Sequence, residues 1–187
     1  MFPPLRRLRL AGVIRPTALA AALLLSAVGS LRAATFTVNS NADTDDGVCN
    51  AAHCTLREAI NAANANPGPD TIRFAIGSGV KSIALAAPLP TIFDPVTIDG
   101  TTQPGYAGTP IIELNGAGAG TGADGLHITA GSSVVTGLVI NRFVPGFPNL
   151  GGNGIFLDTG GGNVVRGCYV GVNVAGTAAL GNGGSAS

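Results

Sequence analysis

The stretch Gly125-Leu-His-Ile-Thr-Ala-Gly-Ser-Ser-Val-Val-Thr-Gly-Leu-Val-Ile140 is answered by Gly154-Ile-Phe-Leu-Asp-Thr-Gly-Gly-Gly-Asn-Val-Val-Arg-Gly-Cys-Tyr-Val170. With one residue inserted, Val134, Val135, Gly137 and Ile140 fall on Val164, Val165, Gly167 and Val170. Each copy holds two short apolar runs that alternate with polar residues, separated by Gly, Ser and Asn, which predicts strand-turn-strand. The same beat runs upstream, since Val96 stands 30 residues before Leu126 (126 − 96), and Ile155 follows 29 after it (155 − 126). A further step reaches Gly184, where Asn182-Gly183 echoes Asn153-Gly154, so the chain reads as a fragment of a longer repeat.

Two short strands cannot bury an apolar face alone. Successive units must therefore stack, each strand pairing with its counterpart about 4.8 Å away. Stacking of this kind predicts an all-β fold, a right-handed parallel β-helix of about 29–30 residues per coil. An antiparallel sandwich also uses short alternating strands, but nothing in it requires like side chains at a constant offset. Composition agrees: 29 Gly, 12 Pro, no Trp and 11% charged residues describe inward stacks joined by turns, with charge well below the usual quarter.

Residues 1–33 read as a secretory leader. Arg6, Arg7, Arg9 and Arg15 precede the eleven-residue apolar run from Ala18 to Val28, too short to span a bilayer, and small residues lead to a cleavage point at Ala33 or Ala34. With Arg32, five of the ten basic residues leave and all ten acidic ones stay, giving 5 − 10 = −5 for the mature chain. An acidic chain without a basic stripe excludes nucleic acid and anionic membranes as expected partners, and no membrane span is expected in the mature chain. The setting implied is secreted, extracellular or cell-surface.

Residues 34–69 read as an N-terminal cap and 70–187 as coils. Thr35-Phe-Thr-Val38 alternates as a strand. Thr55 with Glu58 three residues on is a capping box, and Leu56, Ala59, Ile60 and Ala63 make an apolar stripe at helical spacing, ending near Pro67-Gly68. A short helix with one apolar face can cover the open end of a β-helix, which otherwise presents apolar core and unpaired edges. Cys54-Thr-Leu-Arg-Glu-Ala59 resembles the Cys-Ser-Leu-Arg-Glu-Ala signature of bacterial secreted CSLREA-motif proteins, with Thr for Ser at position 55. The later Ile98-Asp-Gly-Thr-Thr-Gln-Pro-Gly-Tyr106 and Ile112-Glu-Leu-Asn-Gly116 are similar to segments common among them. The resemblance covers about residues 35–182 and implies a pectate-lyase-like right-handed β-helix and a secreted setting. It implies no reaction and carries over no catalytic residue.

Several residues are candidates for chemistry. Cys49, His53 and Cys54 offer three soft groups, but an exported chain meets an oxidising medium where thiols pair, so a Cys49–Cys54 disulfide is expected. Cys168 falls on an inward position matching Leu138. Asn41, Asp43 and Asp45, with Asn39, alternate oxygen donors like a calcium loop, although the EF-hand pattern fails where Gly and Glu are required. His127, between inward Leu126 and Ile128, should point outward, stacked between Thr97 and Phe156, and His127 and Phe156 are candidate ligand contacts. Phe143–Gly152 is an apolar excursion whose Phe147 is a further one. Asp99, Thr129 and Asp158 should form one outward column with the carboxylates about 9–10 Å apart, near the separation of an inverting glycosidase pair. No cofactor is expected.

These readings favour a secreted or cell-surface scaffold or adhesion-type module, non-catalytic in this fragment, with extracellular glycans or surface proteins as partners. The competing class is a polysaccharide lyase or glycoside hydrolase of the same fold. A basic residue beside convergent carboxylates would mark it, and Arg142 and Arg166 lie on the other strand of the unit.

Overall fold

The computed structural model describes residues 32–148 and 150–183 of the 187-residue chain. Most of the expected secretory leader lies outside them. The chain forms a parallel β-helix of about three turns with one short helix. Its strands are β1 (Thr35–Val38), β2 (Asp70–Phe74), β3 (Lys81–Ala84), β4 (Val96–Asp99), β5 (Ile112–Asn115), β6 (Leu126–Ile128), β7 (Val134–Thr136), β8 (Leu138–Asn141), β9 (Ile155–Leu157), β10 (Val164–Arg166) and β11 (Tyr169–Val170), and the helix α1 spans Leu56–Ala65. Among the described residues no helix is long and apolar enough to cross a membrane.

Alternation sends every second side chain inward, and parallel pairing in register turns those positions into ladders. Phe36, Ile72, Ile98, Val135 and Val165 stack in the five-stranded sheet β1-β2-β4-β7-β10. Ile83, Leu114, Ile140 and Val170 stack in the four-stranded sheet β3-β5-β8-β11. A third face carries β6 and β9, extended downward by a parallel bridge from Ile92 to Ile128. Ile72, Ile83, Ile98, Leu114, Leu126 and Ile128 have no exposed surface. Gly137 turns the corner between β7 and β8 with φ +69°, and a Cβ there would meet the Thr101 methyl at 2.7 Å and the Thr101 nitrogen at 2.9 Å. Only glycine takes this conformation without strain.

The coil is thus three-sided, and this corrects the two-strand unit. Val96 does not stack on Leu126: its strand pairs with β7, Thr97 against Val134, and the segment below Leu126–Ile128 is Ile92. Coil length is uneven as well, with 26 residues from Ile72 to Ile98, 37 from Ile98 to Val135 and 30 from Val135 to Val165. Inward and outward phase is identical in Val96-Thr-Ile and Leu126-His-Ile, so alternation alone cannot tell which of two like-phased strands is the partner.

α1 closes one end. Its capping box is formed, the Thr55 hydroxyl accepting from the Glu58 nitrogen and the Glu58 carboxylate accepting from the Thr55 nitrogen. Leu56, Ala59, Ile60 and Ala63 are buried in the same core as the strand ladders. The polar side of the helix reaches the other faces: Arg57 donates to the carbonyls of Ala87 and Pro88 and makes a two-oxygen pair with Asp43, while Asn64 bonds Thr91 and Phe93. A ten-residue helix is marginal alone, so packing and these ties hold it.

Ile60→Ala should cost about 2–4 kcal/mol in urea melts. Thr55→Ala, which also loses a bond to the Thr44 carbonyl, should cost about 1–2 kcal/mol, and Thr55→Ser less than about 1. An Ile60→Ala cost below that of Thr55→Ser would mean that the helix does not seal the core.

Candidate functional site

The third face gathers the outward groups best placed to meet a ligand. Leu126 and Ile128 point inward, so His127 between them points out, and register places Phe156 directly above it. The two rings lie 5.0 Å apart between centroids and 30° from parallel, within the range of favourable aromatic packing. The His127 Nδ1 is 3.4 Å from the Thr91 hydroxyl and Nε2 is 3.5 Å from a carboxylate oxygen of Asp158. A neutral imidazole with its proton on Nε2 suits both neighbours, accepting from Thr91 and donating to Asp158. These contacts are long and leave room to tighten on a ligand. Beside the shelf, Pro88, Leu89, Thr91, Thr121, Asp124 and His127 line an open groove of about 230 Å³. Asp124 is fixed at its rim by accepting from the backbone and side-chain nitrogens of Asn153.

His127, Phe156 and Asp158 are therefore brought together, while Asp99 is not among them. Asp99 lies on the five-stranded sheet, between Arg73 and Thr136 in register, and caps a 3-10 turn at Gly100–Thr102 by accepting from the Thr101 nitrogen. The expected column Asp99, Thr129, Asp158 does not exist, and the inverting pair falls with it. His127 likewise has Thr91, not Thr97, as its lower neighbour. The cause is the misassigned partner of Val96, which moves a whole strand to a different face. Arg166 shares the row of Asp99, and Arg142 turns to Glu113, 3.1 Å away. Neither approaches the shelf carboxylate through any ion pair of the described residues.

Phe147 is almost fully exposed at the tip of a loop closed by reciprocal bonds between Gly146 and Leu150. It does not join the His127 shelf, although the loop is anchored to the groove through the Val144 carbonyl, which accepts from Gly122.

The cap residues are held in a dense local network. Cys49 and Cys54 form a disulfide. Of the calcium candidates, Asp43 binds Arg57 and the Ala86 nitrogen, Asp45 accepts from Gly47 and Asn61, and Asn41 donates to the Ser82 carbonyl. They serve three separate tasks instead of converging on one point. Among the described residues, the side chains that do converge are Asp46, His53 and Glu58, whose ligating atoms lie within 4.8 Å of one another. Sequence reasoning missed this set because Asp46 and Glu58 are 12 residues apart and meet only through the loop.

It also missed the Glu113 cluster. Glu113 points away from the core yet is 8% exposed. Burial pushes its carboxyl up, but hydrogen bonds from Asn141 and Ser82 and the nearby Arg142 guanidinium outweigh that and hold it below its usual 4.5. A depressed carboxyl stabilises the fold above its ordinary value and loses that stabilisation as pH falls through the folded-state value. The advantage of wild type over Glu113→Gln in urea melts should accordingly be full at neutral pH and shrink below 4.5; a gap that is flat with pH would show the ion pair to be inert.

Cys168 sits over Leu138, half-buried against the core, and burial pushes its thiol up. Iodoacetamide at neutral pH should modify one thiol slowly in the folded chain and quickly in urea; fast labelling without denaturant would contradict the inward register.

No family model, curated protein or solved structure matches the chain.

Proposed function

We propose that this protein is a secreted, non-catalytic β-helix module that binds an extracellular glycan on the His127–Phe156 shelf and its groove. The observation that carries this reading is the pair of outward rings 5.0 Å apart, flanked by Thr91, Asp124 and Asp158 beside the groove. A sugar ring presents an apolar face and a rim of hydroxyls. The outward edges of the stacked rings offer an apolar surface for the first, and the carboxylates and hydroxyls offer acceptors and donors for the second. The ladder pairing of β6 with β9 holds the two rings in place, which lowers the ordering cost of binding.

Export is supported by the basic and apolar leader pattern and by the Cys49–Cys54 disulfide, since such bonds persist in oxidising compartments. The resemblance to CSLREA-motif proteins of the pectate-lyase-like fold is consistent with the same setting. Asp158 stands beside His127 with Asp99 on another face, so these two carboxylates supply no support for a lyase or hydrolase.

Neutral and acidic polysaccharide fragments, titrated calorimetrically against the mature chain, test this reading. His127→Ala and Phe156→Ala should each weaken binding about tenfold or more with little change in thermal midpoint, and the reducing ends or unsaturated products of cleavage should not accumulate. Binding that survives both substitutions would move the contact elsewhere; turnover lost with Asp158→Asn would make the protein an enzyme.

A further inference from the structure

A second cluster, independent of the glycan shelf, sits where the loop after β1, the disulfide loop and the first turn of α1 meet. The His53 Nδ1 lies 3.4 Å from Glu58 Oε2 and 3.8 Å from Asp46 Oδ2. It is buried and has no hydrogen-bond partner, because neither contact has hydrogen-bond geometry. Glu58 has no exposed side-chain surface, yet its other hydrogen-bond partners among the described residues are the neutral backbone nitrogens of Asp46 and Thr55. The guanidinium of the neighbouring Arg57 is engaged by Asp43. With the ring proton on Nε2, the Nδ1 lone pair faces two carboxylates, an arrangement that a cation between them relieves.

We propose that Asp46, His53 and Glu58 form a binding site for a first-row divalent cation, best suited to Zn²⁺. Zinc bonds to imidazole nitrogen and carboxylate oxygen of about 2.0–2.2 Å give tetrahedral ligand-to-ligand edges of about 3.3–3.6 Å; the His53 contacts at 3.4 and 3.8 Å lie close to that, and the set, whose atoms lie within 4.8 Å of one another, closes on a metal by a small turn of the exposed Asp46 side chain. One imidazole with two carboxylates disfavours Ca²⁺, which takes six to eight oxygens. The fourth position faces solvent, since Asp46 and His53 keep 60% and 36% of their side-chain surface exposed. The Glu58 oxygens retain lone pairs while accepting from the backbone, so the capping box survives metal binding. His53 is held by its neighbour Cys54, buried and disulfide-bonded, and by the Asn50 carboxamide, which accepts from its nitrogen. The site therefore costs little to order. Its metal ties three segments of the cap together and, by binding only the folded form, stabilises it.

The test is titration of the mature, tag-free oxidised chain with Zn²⁺ and with Ca²⁺, followed by calorimetry, thermal melts and the imidazole resonances of its two histidines. One equivalent of Zn²⁺ should bind saturably, raise the thermal midpoint and move the His53 resonances, with Ca²⁺ far weaker. His53→Gln and the exposed-site change Asp46→Asn should each weaken Zn²⁺ at least about tenfold, leaving the metal-free midpoint near that of wild type. Three results would overturn the proposal: no saturable Zn²⁺ binding, shifts confined to His127, or affinity unchanged in both variants.

Discussion

Every feature of this molecule depends on backbone pairing between successive coils. Parallel strands about 4.8 Å apart satisfy each other's amide groups only if the coils stay in register, and register turns alternate residues of the sequence into continuous columns. The inward columns, such as Ile72, Ile98 and Val135, become core because the same rule that pairs the backbone also stacks the side chains. The outward columns inherit identical spacing. His127 and Phe156 meet at 5.0 Å because their backbones are ladder partners, with no attraction between the rings needed to bring them there.

The same rule leaves the two ends unequal. α1 covers one, joining the strand core through Ile60 and Leu56. On the last coil, Leu157, Val165 and Val170 continue inward columns but remain 41–48% exposed, and the edges of β9, β10 and β11 carry no partner strand among the described residues. Such an edge is a template for another strand.

Local signals in the sequence were the most legible. The capping box, the helix from Leu56 and the Cys49–Cys54 pair are set by residues at most six apart, and nothing distant competes with them. The β-helix itself was legible from the repeated Val134–Ile140 and Val164–Val170 segments, which do pair. The error came from extending that beat upstream. Val96 and Leu126 share a phase, and the extra length between Ile98 and Val135 lies in turns with no strand signal, so phase alone places Asp99 on a face it does not occupy. His127 with Phe156 was readable because one uninterrupted step separates them. Asp46, His53 and Glu58 were not, because a polar loop brings them together and no periodicity governs a loop. Arg57 was read only as part of a motif; its bonds to Asp43, Ala87 and Pro88 depend on how the helix lies across three faces.

The unequal coil lengths carry a consequence of their own. Rungs of 26, 37 and 30 residues rise by the same amount, so the surplus is discharged sideways, at the corners between faces. Within a strand, one inserted residue would turn the following side chains inside out; at a corner, several can be added with the ladder undisturbed. Sequence drift in this architecture is therefore sorted by place. The strands act as a fixed typeface, and the corners, including the turn 117–124 that borders the groove and the segment 144–148 anchored to it, are the margins in which new surface can be written.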